Sequence, residues 1–230
     1  MGYTINARIT PRAAVKLLIS NEIDTEASLA PEQAAAILHE LSVTDVVELL
    51  KIIDTIDPLD QVDSLTLPQF GSLETLLKVP EILISLGFDC LSYIQLGFYL
   101  KGDVNAKPSA NAKYGETHGK GACQLGYARC HQNRVCFSPF TSAICSIDDK
   151  DLQHRLTALL CLRIPIIQTL LHRAQNGAVN GYEPMSHLEF STQKRRAICV
   201  RMILKELGHL ENPQLSFRIN NIVWTSEEDE

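Results

Sequence analysis

No stretch of this 230-residue chain reaches the roughly 18 consecutive apolar residues that a membrane-spanning helix needs. Residues 1–19 carry Arg8, Arg12 and Lys16 but no long apolar core, so no secretory signal is expected. There is no Gly-x-Ser-x-Gly nucleophile elbow and no Gly-x-x-x-x-Gly-Lys phosphate loop. No Cys-x-x-Cys pair occurs either, although there are seven cysteines: 90, 123, 130, 136, 145, 161 and 199. An odd number without an export signal predicts reduced, mostly buried thiols and a soluble cytoplasmic protein. Aromatic residues make up only 6%, yet the 45% apolar content is enough to build a core and excludes a disordered or fibrous chain. The length suits one large domain or two small ones.

Basic residues are scarce at the start and plentiful later. Residues 1–100 hold 5 basic and 14 acidic side chains, residues 101–210 hold 15 and 8, and residues 211–230 hold 1 and 5. The net charge of −6 therefore conceals a basic centre between two acidic flanks, which points to an anionic partner for the centre.

Local signals divide the chain. Thr10 and Pro11 are an N-cap followed by a proline suited to the first helical turn. A second helix is expected from Pro31 to Leu41, and Ser42 with Asp45 reads as a capping-box-like pair before a third. Residues 54–70, with Asp54, Asp57, Asp60 and Asp63, read as an acidic loop. Ser72 opens the next helical stretch, Pro80 begins a short helix to Leu86, and Gly87 ends it. Asp89 should cap an amphipathic helix over 90–100. Helix, glycine turn and helix suggest a helix-turn-helix. A loop over 102–113 and a glycine-rich stretch over 114–127 follow, then strands over 134–137 and 143–147. Asp148 and Asp149 cap a long helix to Ala174 that Pro165 should kink. Ser191 or Thr192 caps a helix over 193–207 that Gly208 stops, and a hairpin is expected over 215–224.

The expected fold is mainly α, of the α+β class. An acidic helical module spans 1–70, two winged helix-turn-helix-like units with small hairpin wings span 71–148 and 149–225, and an acidic tail spans 226–230. Helix 193–207 is the most informative segment. At 100° per residue Ala197, Val200, Ile203, Leu204 and Leu207 fall on one side, and Lys194, Arg195, Arg201 and Lys205 on the other. Cations near a helix N-terminus oppose the macrodipole, an arrangement that phosphate neutralisation would explain. Arg196 falls toward the buried side, where an internal hydrogen bond is expected. Lys113, His118 and Lys120 near the glycines, and Arg134, His131, Asn133 and Arg218 on the hairpins, are further candidates for contact with nucleic acid.

Two chemistries find weaker support. His118, Cys123, Cys130, His131, Cys136 and Cys145 lie within 28 positions, but their spacing fits no zinc knuckle. Asp45, Glu48 and Lys51 have residue types found in metal-dependent nucleases, yet the spacing fits a surface salt-bridge ladder better.

Val-Pro-Glu-Ile-Leu-Ile-Ser-Leu-Gly-Phe-Asp from Val79, Lys-Tyr-Gly-Glu-Thr-His-Gly-Lys-Gly-Ala-Cys-Gln-Leu-Gly-Tyr from Lys113 and Asn-Arg-Val-Cys-Phe-Ser-Pro-Phe from Asn133 carry a resemblance. Together they resemble a winged-helix module of restriction-modification and other bacterial defence proteins. Ser-Thr-Gln-Lys-Arg-Arg-Ala-Ile-Cys-Val-Arg-Met-Ile-Leu from Ser191 resembles the closing recognition helix of a second such module. The resemblance covers about half the chain and implies a non-catalytic reader of double-stranded DNA, in defence or transcription control, with Lys194, Arg195 and Arg201 as DNA contacts. The acidic N-terminal part would hold a partner nuclease, another protein subunit or a second copy as a homodimer. No cofactor is expected. A protein-interaction scaffold and a metal-dependent nuclease subunit are the rival expectations.

Overall fold

A computed structural model of the chain describes residues 9–23 and 29–225. The expected tail at 226–230 lies outside them. The fold is mainly α, with 61% helix and 8% strand. Among the described residues no single helix is long and apolar enough to cross a membrane.

Helix α1 (Pro11–Ile19) starts as its sequence predicts, with Thr10 Oγ1 accepting the Ala13 amide. In α2 (Pro31–Val43) the Gln33 side chain accepts the Ala30 amide. Ser42 is still inside α2, so it makes no pair with Asp45. Its hydroxyl donates to the His39 carbonyl, and Asp45 alone caps α3 (Val46–Ile53) through the Val47 amide. The acidic stretch after α3 is irregular, as expected.

Helix α4 (Leu73–Leu86) begins at its Ser72 cap and ends at Gly87 in the left-handed region (φ +63°). It runs unbroken through Pro80, where a new start was expected. Leu76, Val79, Pro80 and Leu83 are all buried, so tertiary packing outweighs the lost hydrogen bond. Asp89 caps nothing in helical fashion. The chain first forms β1 (Cys90–Ser92), and Ser92 then caps α5 (Tyr93–Lys101) reciprocally with Gln95.

Residues expected as loop and broken glycine-rich chain form the 17-residue helix α6 (Pro108–Gln124). The glycines serve packing. A Cβ on Gly97 would strike the Asn111 backbone, one on Gly119 the Val135 side chain, and one on Gly121 the Phe70 ring. Helices α5 and α6 thus approach closely enough to repay the poor helix propensity of glycine.

After α6 come β2 (Ala128–His131) and β3 (Arg134–Phe137), joined by a two-residue turn with both Gln132 and Asn133 at positive φ. Both pairings in this sheet are antiparallel and the order is β1-β3-β2, with Leu91 opposite Val135 and Cys130 opposite Val135 on the other side. The strand expected over 143–147 is instead the end of helix α7 (Pro139–Cys145), whose start is fixed by the Thr141 hydroxyl accepting the Ser138 amide.

Asp149 caps α8 (Lys150–Leu160) with two amides. A 3-10 turn and Pro165 separate it from α9 (Pro165–Arg173) with a bend of 77°, a break rather than a gentle kink. Strand β4 (Val179–Asn180) precedes α10 (Phe190–Gly208), which starts earlier than Ser191 or Thr192 as caps would allow. The hairpin expected over 215–224 does not form. Asn212 caps α11 (Pro213–Asn220) through the Gln214 and Leu215 amides, and β5 (Ile222–Val223) pairs in parallel with β4. The second antiparallel wing is therefore absent.

A continuous buried cluster extends from Ala14 to Ile222 and includes Phe70, Tyr127 and Phe140. The Tyr127 hydroxyl meets Thr157 at 2.7 Å inside it. Arg218, expected on a wing, is buried in α11 and grips both oxygens of Asp54 at the end of α3 (2.6 and 2.8 Å).

Candidate nucleic-acid interface

Burial of one side of α6 leaves Ser109, Lys113, Glu116, Thr117, Lys120 and Gln124 on the other. Lys113 and Lys120 both point outward, but neither stands alone. Glu116 sits between them, 3.2 Å from the Lys113 ammonium and 2.7 Å from that of Lys120. The hydrogen bond from Lys120, reinforced by Lys113, holds the Glu116 carboxyl below the usual carboxylate range. Gln124 Nε2 donates to the Thr66 carbonyl, so the loop before α4 covers the last turn of α6 and leaves its first half open.

His118 does not belong to this surface. It is only 4% exposed, on the inward side of α6, with Nδ1–H donating to the Tyr114 carbonyl at 2.9 Å. Its ring lies 4.2 Å from that of Tyr114. Burial pushes the imidazole below its ordinary value. Residue type near lysines suggested a contact, but its position among inward-facing Asn111, Gly115 and Ala122 decides otherwise.

Arg134 is exposed beside the β2–β3 turn, together with His131, Gln132 and Asn133. Arg129 on β2 is also exposed, and its Nε donates to the Phe137 carbonyl. Two disulfides brace this region and correct the expectation of reduced thiols: Cys90–Cys136 joins β1 to β3, and Cys123–Cys130 joins the end of α6 to β2. Their cysteines meet through strand register and helix packing, which spacing along the chain does not reveal. Cys145, Cys161 and Cys199 remain free.

On α10, Lys194, Ile198, Arg201 and Lys205 recur at i, i+4, i+7 and i+11 and share one stripe, with Arg195 about 100° around the axis. Ile198 is 69% exposed in the middle of those cations. Arg201 is engaged by aromatics that the sequence reading did not connect to it. Its guanidinium lies 4.8 Å from the Trp224 ring and donates to the Tyr182 hydroxyl at 3.4 Å. The Lys194 ammonium stands 4.1 Å over the Phe190 ring. Arg196 is buried as expected, but its Nε and Nη1 find no hydrogen-bond partner among the described residues, and burial lowers its pKa.

Among the described residues no three His, Cys, Asp or Glu side chains gather where a metal ion could bind. Asp45 is committed to the Val47 amide and Glu48 to Arg12, so this pair is structural rather than a convergent carboxylate site. No protein-family model, curated protein or solved structure matches the chain.

Proposed function

We propose that residues 73–137 are a winged-helix unit that binds double-stranded DNA without catalysing a reaction on it. The carrying observation is the element order. Helix α4, strand β1, helices α5 and α6, then β2 and β3 with sheet order β1-β3-β2 match the succession of a winged helix. In that reading α6, rather than the 90–100 segment, enters the major groove, and the β2–β3 turn is the wing. Residues 101–134 hold six basic and two acidic side chains, which supports a polyanionic partner. The Lys194–Lys205 stripe of α10 supplies a second phosphate contact. The acidic N-terminal third, repelled by DNA, faces a protein subunit or a second copy. Such a reader suits a restriction, defence or regulatory system.

The test is anisotropy of a labelled duplex between about 50 and 200 mM salt, where phosphate-driven affinity should fall steeply. K113E/K120E/R134E should weaken binding more than K194E/R195E/K205E. Absence of binding at the lowest salt defeats the proposal, and loss confined to the α10 variant defeats the assignment to α6.

One observation favours a protein-docking role for the same unit. Ile94, Phe98 and Tyr99 of α5 are 48%, 37% and 43% exposed and close together on one helix. A Phe98→Ser/Tyr99→Ser variant that loses a protein partner while keeping duplex affinity would establish that reading instead.

A further inference from the structure

Residues 1–100 contain only five basic side chains, and three of them, Arg12, Lys16 and Lys51, converge. Helices α1 and α3 lie against each other and leave between their outer flanks a cavity of about 480 Å³. Ala13, Val15 and Ile52 give it an apolar lining, with the hydroxyls of Thr10 and Thr44 also in its wall. Among the described residues the only carboxylate lining it is Glu48, which is already bound by Arg12. Lys16 and Lys51 are exposed and make no ion pair with a described residue. Each closes its helix, where a cation is favoured by the macrodipole. That accounts for either lysine singly, but not for both facing one cavity in the most acidic part of the chain.

We propose that this cavity is a binding site for a small organic anion with an aliphatic body, an alkyl carboxylate or alkyl phosphate. The volume is within the range of small-molecule sites. The apolar lining would take the hydrocarbon, and the Lys16 and Lys51 ammonium groups would take the head group. The Thr10 hydroxyl, which accepts the Ala13 amide and keeps its own proton, would donate to a remaining oxygen, while that of Thr44 already donates to the Glu40 carbonyl. A cationic or neutral ligand would leave Lys16 and Lys51 uncompensated. The site is separate from the DNA surface proposed above and does not depend on it.

Amide NMR of the full chain, titrated with hexyl phosphate and with hexanoate, tests this. Saturable shifts are expected at Ala13, Val15, Lys51 and Ile52, and the tighter of the two probes identifies the head group. Hexanol and hexylammonium should bind at least about tenfold more weakly. Lys16→Glu/Lys51→Glu should weaken the preferred probe to a similar extent. Lys16→Gln/Lys51→Gln provides the same readout should charge reversal disturb folding. Equal binding of hexanol or hexylammonium, shifts centred elsewhere, unchanged affinity in the lysine variants, or no binding of either anion would each overturn the proposal.

Discussion

Gly97 of α5 and Gly115 of α6 lie back to back: a Cβ on Gly115 would come within 2.7 Å of the Gly97 backbone nitrogen and would also strike the Tyr93 carbonyl. The obstacle is backbone, which cannot swing aside as a side chain can. Gly115→Ala should therefore force α5 and α6 apart and cost about 2–4 kcal/mol, despite the better helix propensity of alanine. Thermal unfolding should show a drop of roughly 10 °C. Gly71→Ala is the control, since open space surrounds Gly71 and its effect should be small. Equal melting of the two variants would mean that the helices are not packed this closely.

That contact also explains what could and could not be read in advance. Thr10, Ser72, Gly87 and Asp149 announce helix ends because each acts on backbone groups within a few residues. α6 was hidden because its glycines count against a helix locally and are justified only by α5, β3 and Phe70. Leu215–Ile219, the Asn220–Asn221 turn and Ile222–Trp224 suggest a hairpin, but Asn212 and Pro213 start a helix there instead. On the candidate surface, exposure of Lys113, Lys120 and Arg134 followed from charge. The inward turn of His118 and the stacking of Arg201 on Trp224 follow from partners distant in sequence.

Glu116 restrains the surface it occupies. It neutralises part of the charge that Lys113 and Lys120 would offer to phosphate. Glu116→Gln should free both ammonium groups and raise duplex affinity about three- to tenfold at about 50 mM salt, with a steeper salt dependence. The gain should vanish when Lys113 and Lys120 are also replaced by alanine. An unchanged or lower affinity in Glu116→Gln would place the DNA contact away from the outward side of α6.

His118 predicts a specific pH response. With its Nδ1 proton committed to Tyr114, ionisation requires a second proton at Nε2 in a buried setting, and its folded pKa is lowered. The unfolded imidazole protonates near about 6.5. Between the two values the unfolded chain binds more protons, so this group removes stability as pH falls through about 6.5, and the loss ends below the folded pKa. Urea unfolding from about pH 7.5 to 5 should show the wild type losing more stability than His118→Gln, so that their curves converge toward acid. Parallel curves would show that the imidazole is not restrained as described.

The disulfides make the last prediction and separate loop closure from packing. Cys90–Cys136 closes a separation of 46 residues and Cys123–Cys130 one of 7. Loop-closure entropy gives about 4 and about 2.5 kcal/mol for closing them singly. The short loop lies inside the long one, so their joint effect should be less than additive. Under denaturing, non-reducing conditions three thiols should titrate, those of Cys145, Cys161 and Cys199. In the native state these should react slowly near pH 8, because burial pushes Cys145 up to about 11 and Cys199 up to about 12, and raises Cys161 well above its ordinary value. Cys136→Ser should melt well below the oxidised wild type, and a dithiol reductant should remove most of that difference by opening the same loop. Seven reactive thiols in the unfolded, unreduced chain would show that neither bond forms. A variant that stays equally far below the wild type after reduction would show that Cys136 acts through packing in the β1–β3 pair and not through its covalent link.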